Sequence, residues 1–370
     1  MRIALLDPPG YSSPYDHELA SALAARGHDV DLLTTPFPFG DPPEPNGYRR
    51  SDVFLSLTGK LRRRRPRSRL RLPLKGAEYL PSVVRLLALV GKLRPDIVHV
   101  QWLTLLRQDL RWVARLQSDR PVVFTAHNVM PHLGEPDVEE RRRIYTAFDR
   151  VVVHTRKGVE QLERYGVPAE RIVRIPHGTF GAPPSIESPS GRRLLFFGLI
   201  RRYKGIDVLV RALSEIPDAQ LVVAGDPLDP VEPLQELARE VGVADRITWR
   251  LGYLPDAEVE TLMREATLTI FPYPGGESAS GALATALGHG RPAVVTEVLG
   301  ETVREFGAGA VVAPNDPGAL ATAIRELLDD PAALEAAFRG TERARAGLSW
   351  SGIAEAHERL YSEVLARVAR

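Results

Sequence analysis

Residues 271–292 read FPYPGGESASGALATALGHGRP. An apolar strand, Thr267 to Phe271, runs into a Pro/Gly loop that carries one acid, Glu277. A helix of small residues is predicted to begin near Ser280 and to end at Gly288 to Gly290. Backbone N–H groups are free at the start of a helix, and with a carboxylate beside them they suit a ligand that has both phosphate and hydroxyl groups. A sugar nucleotide is such a ligand.

The composition is that of a globular protein large enough for two domains. The chain has 370 residues, of which 44% are hydrophobic and 26% are charged. A net charge of +1 gives no overall field that would attract nucleic acid, and the absence of cysteine excludes disulfides and thiolate metal sites. No signal peptide precedes the apolar stretch Met1 to Asp7, and no uncharged apolar run reaches the roughly 18 residues of a membrane span. We therefore expect a cytoplasmic protein.

Short apolar strands alternate with helical patterns through the first half of the chain, and the alternation restarts after a Pro/Ser/Gly-rich stretch at 181–191. Strands of this kind are typical of parallel sheets covered on both faces. The fold class predicted is α/β, with two doubly wound, Rossmann-like domains facing across a cleft. The first domain is expected at 1–182 and the second at 192–350.

Two basic residues follow the first predicted strand of the second domain. Arg201 and Lys204 come shortly after Leu194 to Phe197, and ligands of such sheets bind at the carboxyl ends of strands. Two fixed cations there could clamp a diphosphate and stabilise it as a leaving group. The alternative is a solvated loop with incidental basic residues. The second phosphate-type loop, Glu277 to Gly281, favours the functional interpretation.

Three features of the first domain are candidates for substrate contact. His127 and Asn128 end a predicted strand, where a histidine can bond a sugar hydroxyl or a phosphate oxygen, or merely cap the strand. The loop Asp7 to Pro14 follows the first strand and lacks the Gly-x-Gly-x-x-Gly of a dinucleotide site, which argues against a nicotinamide enzyme. Trp102 is either a platform on which a sugar stacks or part of the core.

The run Lys60 to Lys75 holds nine basic residues and no acid. It could bind anionic lipid headgroups, which would place the protein peripherally at the inner membrane face, or an anionic acceptor. The third interpretation is a solvated loop. Nucleic acid is not expected as a partner, because no aromatic residues interleave with the run.

Several classes of enzyme are disfavoured by missing motifs. No paired carboxylates stand at plausible glycosidase positions, and no His/Asp/Glu cluster has the spacing of metal ligands. The Gly-x-Ser-x-Gly and Walker motifs are also absent from the sequence. These absences argue against a hydrolase, a kinase and a metalloenzyme.

Taken together, these segments resemble the GT-B fold retaining glycosyltransferases of the large group called family 4 (GT4), over nearly the whole chain. The segments that carry the resemblance are Tyr15 to Leu19, Arg26 to Val30, Arg94 to His99, Ile175 to Gly178, Gly198 to Gly205, Ala224 to Asp226, Gly252 to Leu254 and Glu277 to Pro292.

The resemblance assigns roles to individual residues. Glu277 matches the first glutamate of the family's hallmark pair and would, with His127, orient the donor sugar as the catalytic pair. Thr285 stands where the second glutamate usually holds the nucleotide ribose, so a charge-assisted contact is lost there. The residues expected to bind the donor are Arg201, Lys204, Gly225, Asp226, Tyr253, Ser280, Gly281, Ala282 and Thr285. Those expected on the acceptor side are Ser13, Tyr15, Asp16, Trp102 and Asn128, in a first loop where Ser-Ser-Pro replaces the family's double glycine.

The resemblance also implies a reaction. A hexosyl unit would move from a nucleoside-diphosphate sugar to an acceptor hydroxyl on a glycan, a lipid-linked glycan or a small molecule, with retention of anomeric configuration. Neither a metal nor a cofactor would be needed, and a UDP-sugar is favoured over a GDP-sugar. The last helix, 351–370, would cross back onto the first domain. Two alternatives stay open: a catalytically degenerate scaffold protein, suggested by Thr285, and a GT-B sugar-nucleotide epimerase.

Overall fold

The computed structural model describes residues 1–37, 42–64, 71–129, 136–181, 187–275 and 279–368. These residues form two compact units. Unit 1 contains the described residues of Met1–Val129 and Glu135–Pro176 and the segment that begins at Trp350; unit 2 contains those of His177–Ser349.

Unit 1 is built on a parallel sheet that has seven strands within the described residues. In chain order the strands are β1 (Arg2–Asp7), β2 (Asp29–Thr34), β3 (Arg49–Asp52), β4 (Ile97–Val100), β5 (Val122–Thr125), β6 (Arg150–Val153) and β7 (Ile172–Arg174), and their spatial order is β3-β2-β1-β4-β5-β6-β7. The helices are α1 (Ser13–Ala25), α2 (Ser56–Arg64), α3 (Arg71–Leu93), α4 (Leu106–Gln117), α5 (Val138–Thr146), α6 (Arg156–Arg164) and, at the end of the chain, α14 (Trp350–Val368).

Unit 2 repeats this architecture with six parallel strands in its described part. They are β8 (Arg193–Phe197), β9 (Gln220–Gly225), β10 (Ile247–Leu251), β11 (Leu268–Phe271), β12 (Ala293–Thr296) and β13 (Gly309–Val312), in the spatial order β10-β9-β8-β11-β12-β13. The helices are α7 (Ile206–Ser214), α8 (Glu232–Glu240), α9 (Asp256–Glu265), α10 (Gly281–Gly288), α11 (Gly300–Phe306), α12 (Pro317–Asp329) and α13 (Pro331–Gly347).

Burial explains why the central strands carry almost uninterrupted apolar runs. Every residue of β4, β5 and β11 is buried, as expected for parallel strands that have helices on both faces. In unit 1, β1 pairs with β2 and with β4, so Ile3 lies between Val30 and Ile97. The predicted fold class, two doubly wound parallel-sheet α/β domains, is confirmed.

Helix α14 packs against α1 of unit 1. At its surface Arg26 Nε donates to Glu358 Oε2 at 2.6 Å. In the interior, the Tyr361 hydroxyl lies 2.6 Å from His99 Nδ1, and His99 belongs to the central strand β4. The end of the chain is therefore tied to the middle of the unit 1 sheet.

Some elements were not predicted because their sequences lack the usual signals. Strand β3 reads RRSD and has no apolar residue; it pairs with β2 at the sheet edge, where the Arg49 guanidinium binds the carboxylates of Asp29 and Asp31. Helix α3 begins at Arg71, within the basic run, and contains an internal proline, Pro81. Among the described residues, none of the helices is both long enough and apolar enough to cross a membrane.

Candidate functional site

The order of strands gives each unit one preferred binding edge. The order reverses between β1 and β4 in unit 1 and between β8 and β11 in unit 2. Ligands of open α/β sheets bind beyond the carboxyl ends of the strands at such a point. Candidate residues follow β1 and β4 in the first unit and β8 and β11 in the second.

Lys204 is a nearly buried cation at the binding edge of unit 2, with 7% of its surface exposed. Its Nζ atom lies 3.9 Å from the centre of the Tyr273 ring and 5.0 Å from the centre of the Tyr203 ring. The Tyr273 hydroxyl lies 3.3 Å from Ser280 Oγ. One aromatic ring thus connects the cation that follows β8 with the start of the helix that follows β11.

Two glycines allow the loops at this edge to approach each other. Gly205 has a φ of +67°, and a Cβ atom there would lie 2.0 Å from the carbonyl oxygen of Pro272. Gly225 has a φ of +148°, and its Cβ would lie 1.8 Å from the carbonyl oxygen of Gly198. Any side chain would clash at these distances, so the close approach of the loops after β8, β9 and β11 requires glycine.

Arg201 stands immediately before the short 3₁₀ turn that ends at Lys204. Its Nε atom is buried and has no hydrogen-bond partner among the described residues. A buried donor that is left unpaired costs free energy, so a ligand acceptor at this position would be favourable. This is the chemistry that an anionic diphosphate offers.

Two further candidates for donor binding, Asp226 and Tyr253, lie beside the loop after β9. The backbone carbonyl of Asp226 accepts a hydrogen bond from the amide of Ile200 at 3.0 Å, which joins this loop to the one after β8. The amide of Gly252 donates to the carbonyl of Gly225 at 3.0 Å and thereby places Tyr253 at the same edge. Tyr253 is 47% exposed, and partial burial raises the pKa of its hydroxyl.

Helix α10 begins at the candidate phosphate loop. Ser280 is its N-cap and accepts from the amide of Leu283, and the amides of Gly281 and Ala282 are among those that have no partner within the helix. The Thr285 hydroxyl donates to the carbonyl of Gly281 at 2.9 Å. Because its proton is engaged in this bond, the hydroxyl could act toward a ligand only as an acceptor. Glu277 lies outside the described residues.

The binding edge of unit 1 contains a buried pair of carboxyl groups that sequence analysis did not anticipate. Asp7 ends β1, Asp16 lies in the first turn of α1, and both are fully buried or nearly so. The Ser12 hydroxyl joins them, at 3.5 Å from Asp7 and 3.2 Å from Asp16. The Trp102 indole N–H donates to the same hydroxyl at 3.0 Å.

The environments of the two carboxyl groups differ. Burial raises the pKa of Asp7, and this rise is only partly offset by the hydrogen bond with Asp16 and by the amides of Gly10 and Ser12, which donate to its carboxylate at 3.0 Å. Burial and the neighbouring Asp7 charge raise the pKa of Asp16 well above its usual value. Asp16 is therefore the member of the pair whose protonated form the surroundings favour more.

His127 stacks on Trp102 at the end of β5. The ring centres are 5.1 Å apart and the planes differ by 10°. The ring of Tyr15 meets the His127 ring edge-on, and the two ring centres are 4.8 Å apart. The indole is half-buried and packs on a candidate site residue, and its role as a platform for a sugar stays a prediction.

A chain of hydrogen bonds orients the His127 ring. The carbonyl of Ile175 can only accept, so His154 carries its proton on Nδ1, 2.9 Å away. In a neutral His154 the Nε2 lone pair then accepts from His127 Nδ1 at 3.2 Å. His127 Nε2 lies 3.1 Å from Oε1 of the buried Gln101, which accepts from a charged ring; with the amide turned over, its N–H would donate to a neutral ring.

The structure thus brings the described candidates into two groups, one in each unit. Tyr15 and Asp16 are buried, so they contact the residues around His127 and Ser12 and not solvent, while Ser13 and Asn128 are half-buried. Tyr273, His154 and Gln101 were not singled out from the sequence, and Ser12 was covered only as part of the loop Asp7 to Pro14. Each of the four comes shortly after a strand of the structure, and this position was the available signal. Most of the basic run Lys60 to Lys75 lies outside the described residues or has undescribed side chains.

Two family models match the chain. The one described as Glycosyltransferase Family 4 matches residues 15–179, and the one described as Glycosyl transferases group 1 matches residues 191–330. Among curated relatives, a D-inositol 3-phosphate glycosyltransferase of Acidothermus cellulolyticus is 30% identical over 394 residues, with 95% of this chain and 85% of the relative covered. The corresponding protein of Thermobispora bispora is 29% identical over 337 residues, covering 81% of this chain and 78% of that protein.

Solved structures show the same fold. A sucrose-phosphate synthase from Thermosynechococcus elongatus has a TM-score of 0.76 at 22% identity, covering 99% of this chain and 100% of that one. Anabaena HepE, solved in complex with UDP-glucose, has a TM-score of 0.74 at 18% identity, covering 98% and 100% of the two chains.

The fold is the GT-B fold, and the family models and curated relatives identify the chain as a glycosyltransferase. The chain belongs to glycosyltransferase family 4, as the matches over most of its length show.

Proposed function

We propose that the enzyme transfers a hexosyl unit from a UDP-sugar and that the binding edge of unit 2 holds the nucleotide diphosphate. The supporting observation is the contact chain from Lys204 through Tyr273 to Ser280, which gathers a buried cation and a helix N-terminus at one point. Arg201, with its unpaired buried Nε, adds a second cation. Fixed positive charge at a departing diphosphate stabilises the transition state more than the ground state, because negative charge develops there.

The proposed reaction retains anomeric configuration and needs no metal. The acceptor hydroxyl attacks the anomeric carbon on the face from which the diphosphate leaves, and a diphosphate oxygen takes the hydroxyl proton. The bond to the new oxygen forms as the bond to the diphosphate breaks, so UDP and the glycoside are the products. In this proposal Glu277 and His127 orient the sugar, and Arg201, Lys204 and the α10 amides carry the leaving-group charge.

For the acceptor, we propose a hydroxyl of a small molecule, a glycan or a lipid-linked glycan, held at the binding edge of unit 1. The names of the curated relatives make an inositol phosphate the first compound to test. Ser12 and Trp102 are the polar and aromatic groups of that edge, a combination typical of sugar binding. The buried carboxyl groups of Asp7 and Asp16 hold the Ser12 hydroxyl in place through hydrogen bonds.

The experiment is a transfer assay with UDP-glucose and inositol phosphate, followed by proton NMR of the anomeric signal. We expect an α-linked product from the α-linked donor, in the presence of a chelator as in its absence. A β-linked product would contradict retention, and loss of turnover with chelator would contradict metal independence.

The alternatives have distinct outcomes in the same assay. A scaffold protein would give no product and no calorimetric heat with any UDP- or GDP-sugar. A sugar-nucleotide epimerase would consume donor when no acceptor is present. Preference for GDP-sugars would contradict only the choice of base.

A further inference from the structure

Helix α3 has an apolar face that the rest of the chain leaves exposed. Its inner face is buried in unit 1 through Tyr79, Ser82, Leu86 and Val90. On the other side, Leu80 is 70% exposed and Val84 is 66% exposed. A helix that packs on a core with one face normally carries charged residues on the opposite face, so this arrangement needs an explanation.

The exposed apolar positions form one continuous stripe. Ala77, Leu80, Pro81, Val84 and Ala88 are all exposed and are spaced by three or four residues, the separation of neighbours on one side of a helix. We call these five residues the α3 stripe. Leu57 of α2, 58% exposed, continues the apolar surface, because its backbone amide donates to Glu78 of α3 at 2.7 Å.

The surroundings of the α3 stripe are positive. Between Val53 and Pro95 the side chains that the structure describes include one acid, Glu78, and five cations, namely Lys60, Lys75, Arg85, Lys92 and Arg94. That carboxylate is 5% exposed and accepts from the amides of Leu57 and Thr58 and from the Thr58 hydroxyl, so it caps α2. No acidic side chain is exposed in the described part of this segment.

The exposed cations flank the stripe. Arg85 directly follows Val84, Lys92 lies near the end of α3, and Lys60 lies on α2. The whole protein has a net charge of only +1, so this positive charge is local and is balanced elsewhere on the chain. An apolar stripe rimmed by cations matches a surface that is apolar beneath a layer of negative charge.

We propose that the α3 stripe docks on an anionic lipid bilayer, with α3 lying in the plane of the interface. Leu80 and Val84 enter the boundary between headgroups and acyl chains, and Arg85 and Lys92 contact the lipid phosphates. The contact is peripheral. It is independent of the proposed donor and acceptor, because none of these residues belongs to either binding edge.

Vesicle flotation tests the proposal with the full chain. Wild-type protein should float with vesicles of equal parts phosphatidylglycerol and phosphatidylcholine, and should remain in solution with vesicles of phosphatidylcholine alone. The double variant Leu80→Glu/Val84→Glu should lose at least tenfold in vesicle affinity. The control variant Val138→Glu places one such carboxylate at a half-exposed apolar residue of α5, outside the α3 stripe, and should bind as wild type does.

A second arm tests the charges. Arg85→Ser/Lys92→Ser should weaken binding by about 25-fold, since each cation near an anionic surface contributes about fivefold. Binding should also weaken steeply with salt. Turnover with soluble substrates should be unchanged in all these variants, which separates this proposal from the proposed function.

Four outcomes would overturn the proposal. The wild type could fail to float with anionic vesicles, or the stripe variant could bind as tightly as wild type. Binding that is lost with salt but unaffected by the stripe variant would indicate adsorption by charge alone. A dimer in sedimentation that the stripe variant abolishes would instead assign the stripe to an interface between two copies of the chain.

Discussion

The indole of Trp102 lies parallel to the imidazole of His127, with 5.1 Å between ring centres, and its N–H reaches Ser12. One side chain thus connects the loop after β1 with the loop after β5. The connection depends on the Trp102 side chain and not on the secondary structure of either loop. The orientation of His127 consequently depends on residues of at least two other loops.

Replacing Trp102 separates the stacking from the hydrogen bond. Trp102→Ala removes both, and an aromatic pair contributes about 1 kcal/mol beyond burial, so we expect kcat/KM to fall by at least about fivefold. Trp102→Phe keeps a ring against His127 and should fall less. Steady-state kinetics with varied acceptor provide the measurement, and an unchanged Trp102→Ala enzyme would exclude the supporting role.

The hydrogen bonds of His154 predict a positioning effect on His127. His154→Asn can still donate to the Ile175 carbonyl but presents nothing to His127 Nδ1. We expect kcat to fall about tenfold, with KM for the donor less affected and the acidic limb of the kcat–pH profile displaced. A purely structural role would lower the unfolding temperature and leave the pH profile in place.

The matched control is His17→Asn. His17 is a half-buried histidine of the same unit, where His154 is buried, and it contacts the Tyr48 hydroxyl at 2.9 Å, away from His127. If His17→Asn and His154→Asn displaced the pH profile equally, the assignment to His154 would be lost.

Buried histidines should make the stability of the enzyme sensitive to acid. Burial lowers the pKa of His357 on α14 to about 4 and holds the pKa of His99 well below its usual value. Both pKa values are lower in the folded state, so the unfolded chain binds more protons and stability falls as pH drops below about 6.5. The loss from His357 continues until about pH 4, at about 1.4 kcal/mol per pH unit.

Chemical unfolding at pH 7 and at pH 5 measures this effect. His357→Leu should reduce the difference in unfolding free energy between the two pH values by up to about 2 kcal/mol. An unaltered difference would show that His357 does not remain neutral in the folded protein.

Gly225 should tolerate no side chain. Gly225→Ala would strain the backbone, because the φ of Gly225 is +148°. It would also force the loops apart, because the added Cβ would lie 1.8 Å from the carbonyl oxygen of Gly198. We expect a loss of more than about 3 kcal/mol in unfolding free energy, whereas Gly242→Ala should lose about 1 kcal/mol. Gly242 is a matched control because its φ is +71° and no atom lies within 4 Å of its would-be Cβ. Equal losses would show that φ alone decides the cost.

The sequence predicted the fold and the edges better than it predicted the contacts. Apolar runs such as Val122 to Thr125 mark buried strands because a parallel sheet excludes water from both faces, and the residues after them fall at a common edge. This is why Lys204 and His127 could be found. Strand β3 could not, because it has no apolar residue and is held at the sheet edge by backbone pairing with β2.

Long-range partners left no local signal. Asp109 accepts from the Tyr79 hydroxyl, the Trp112 indole and the amide of Leu105, and only folding brings Tyr79 close. The Asp7–Asp16 pair is similar, since nothing in two separate aspartates predicts that the hydroxyl of a half-buried serine, Ser12, joins them. The roles predicted for Glu277 and Thr285 stay predictions.

Calorimetric titration with UDP tests most directly whether unit 2 holds the nucleotide diphosphate. Wild-type protein should bind UDP, and Arg201→Ala/Lys204→Met should bind at least about tenfold more weakly, since a hydrogen bond to a charged group contributes about 1.5–3 kcal/mol. Arg202→Ala removes an exposed cation from the same turn and should bind UDP as wild type does. If the double variant bound UDP as tightly as wild type, the diphosphate site would not be the one assigned to Arg201 and Lys204.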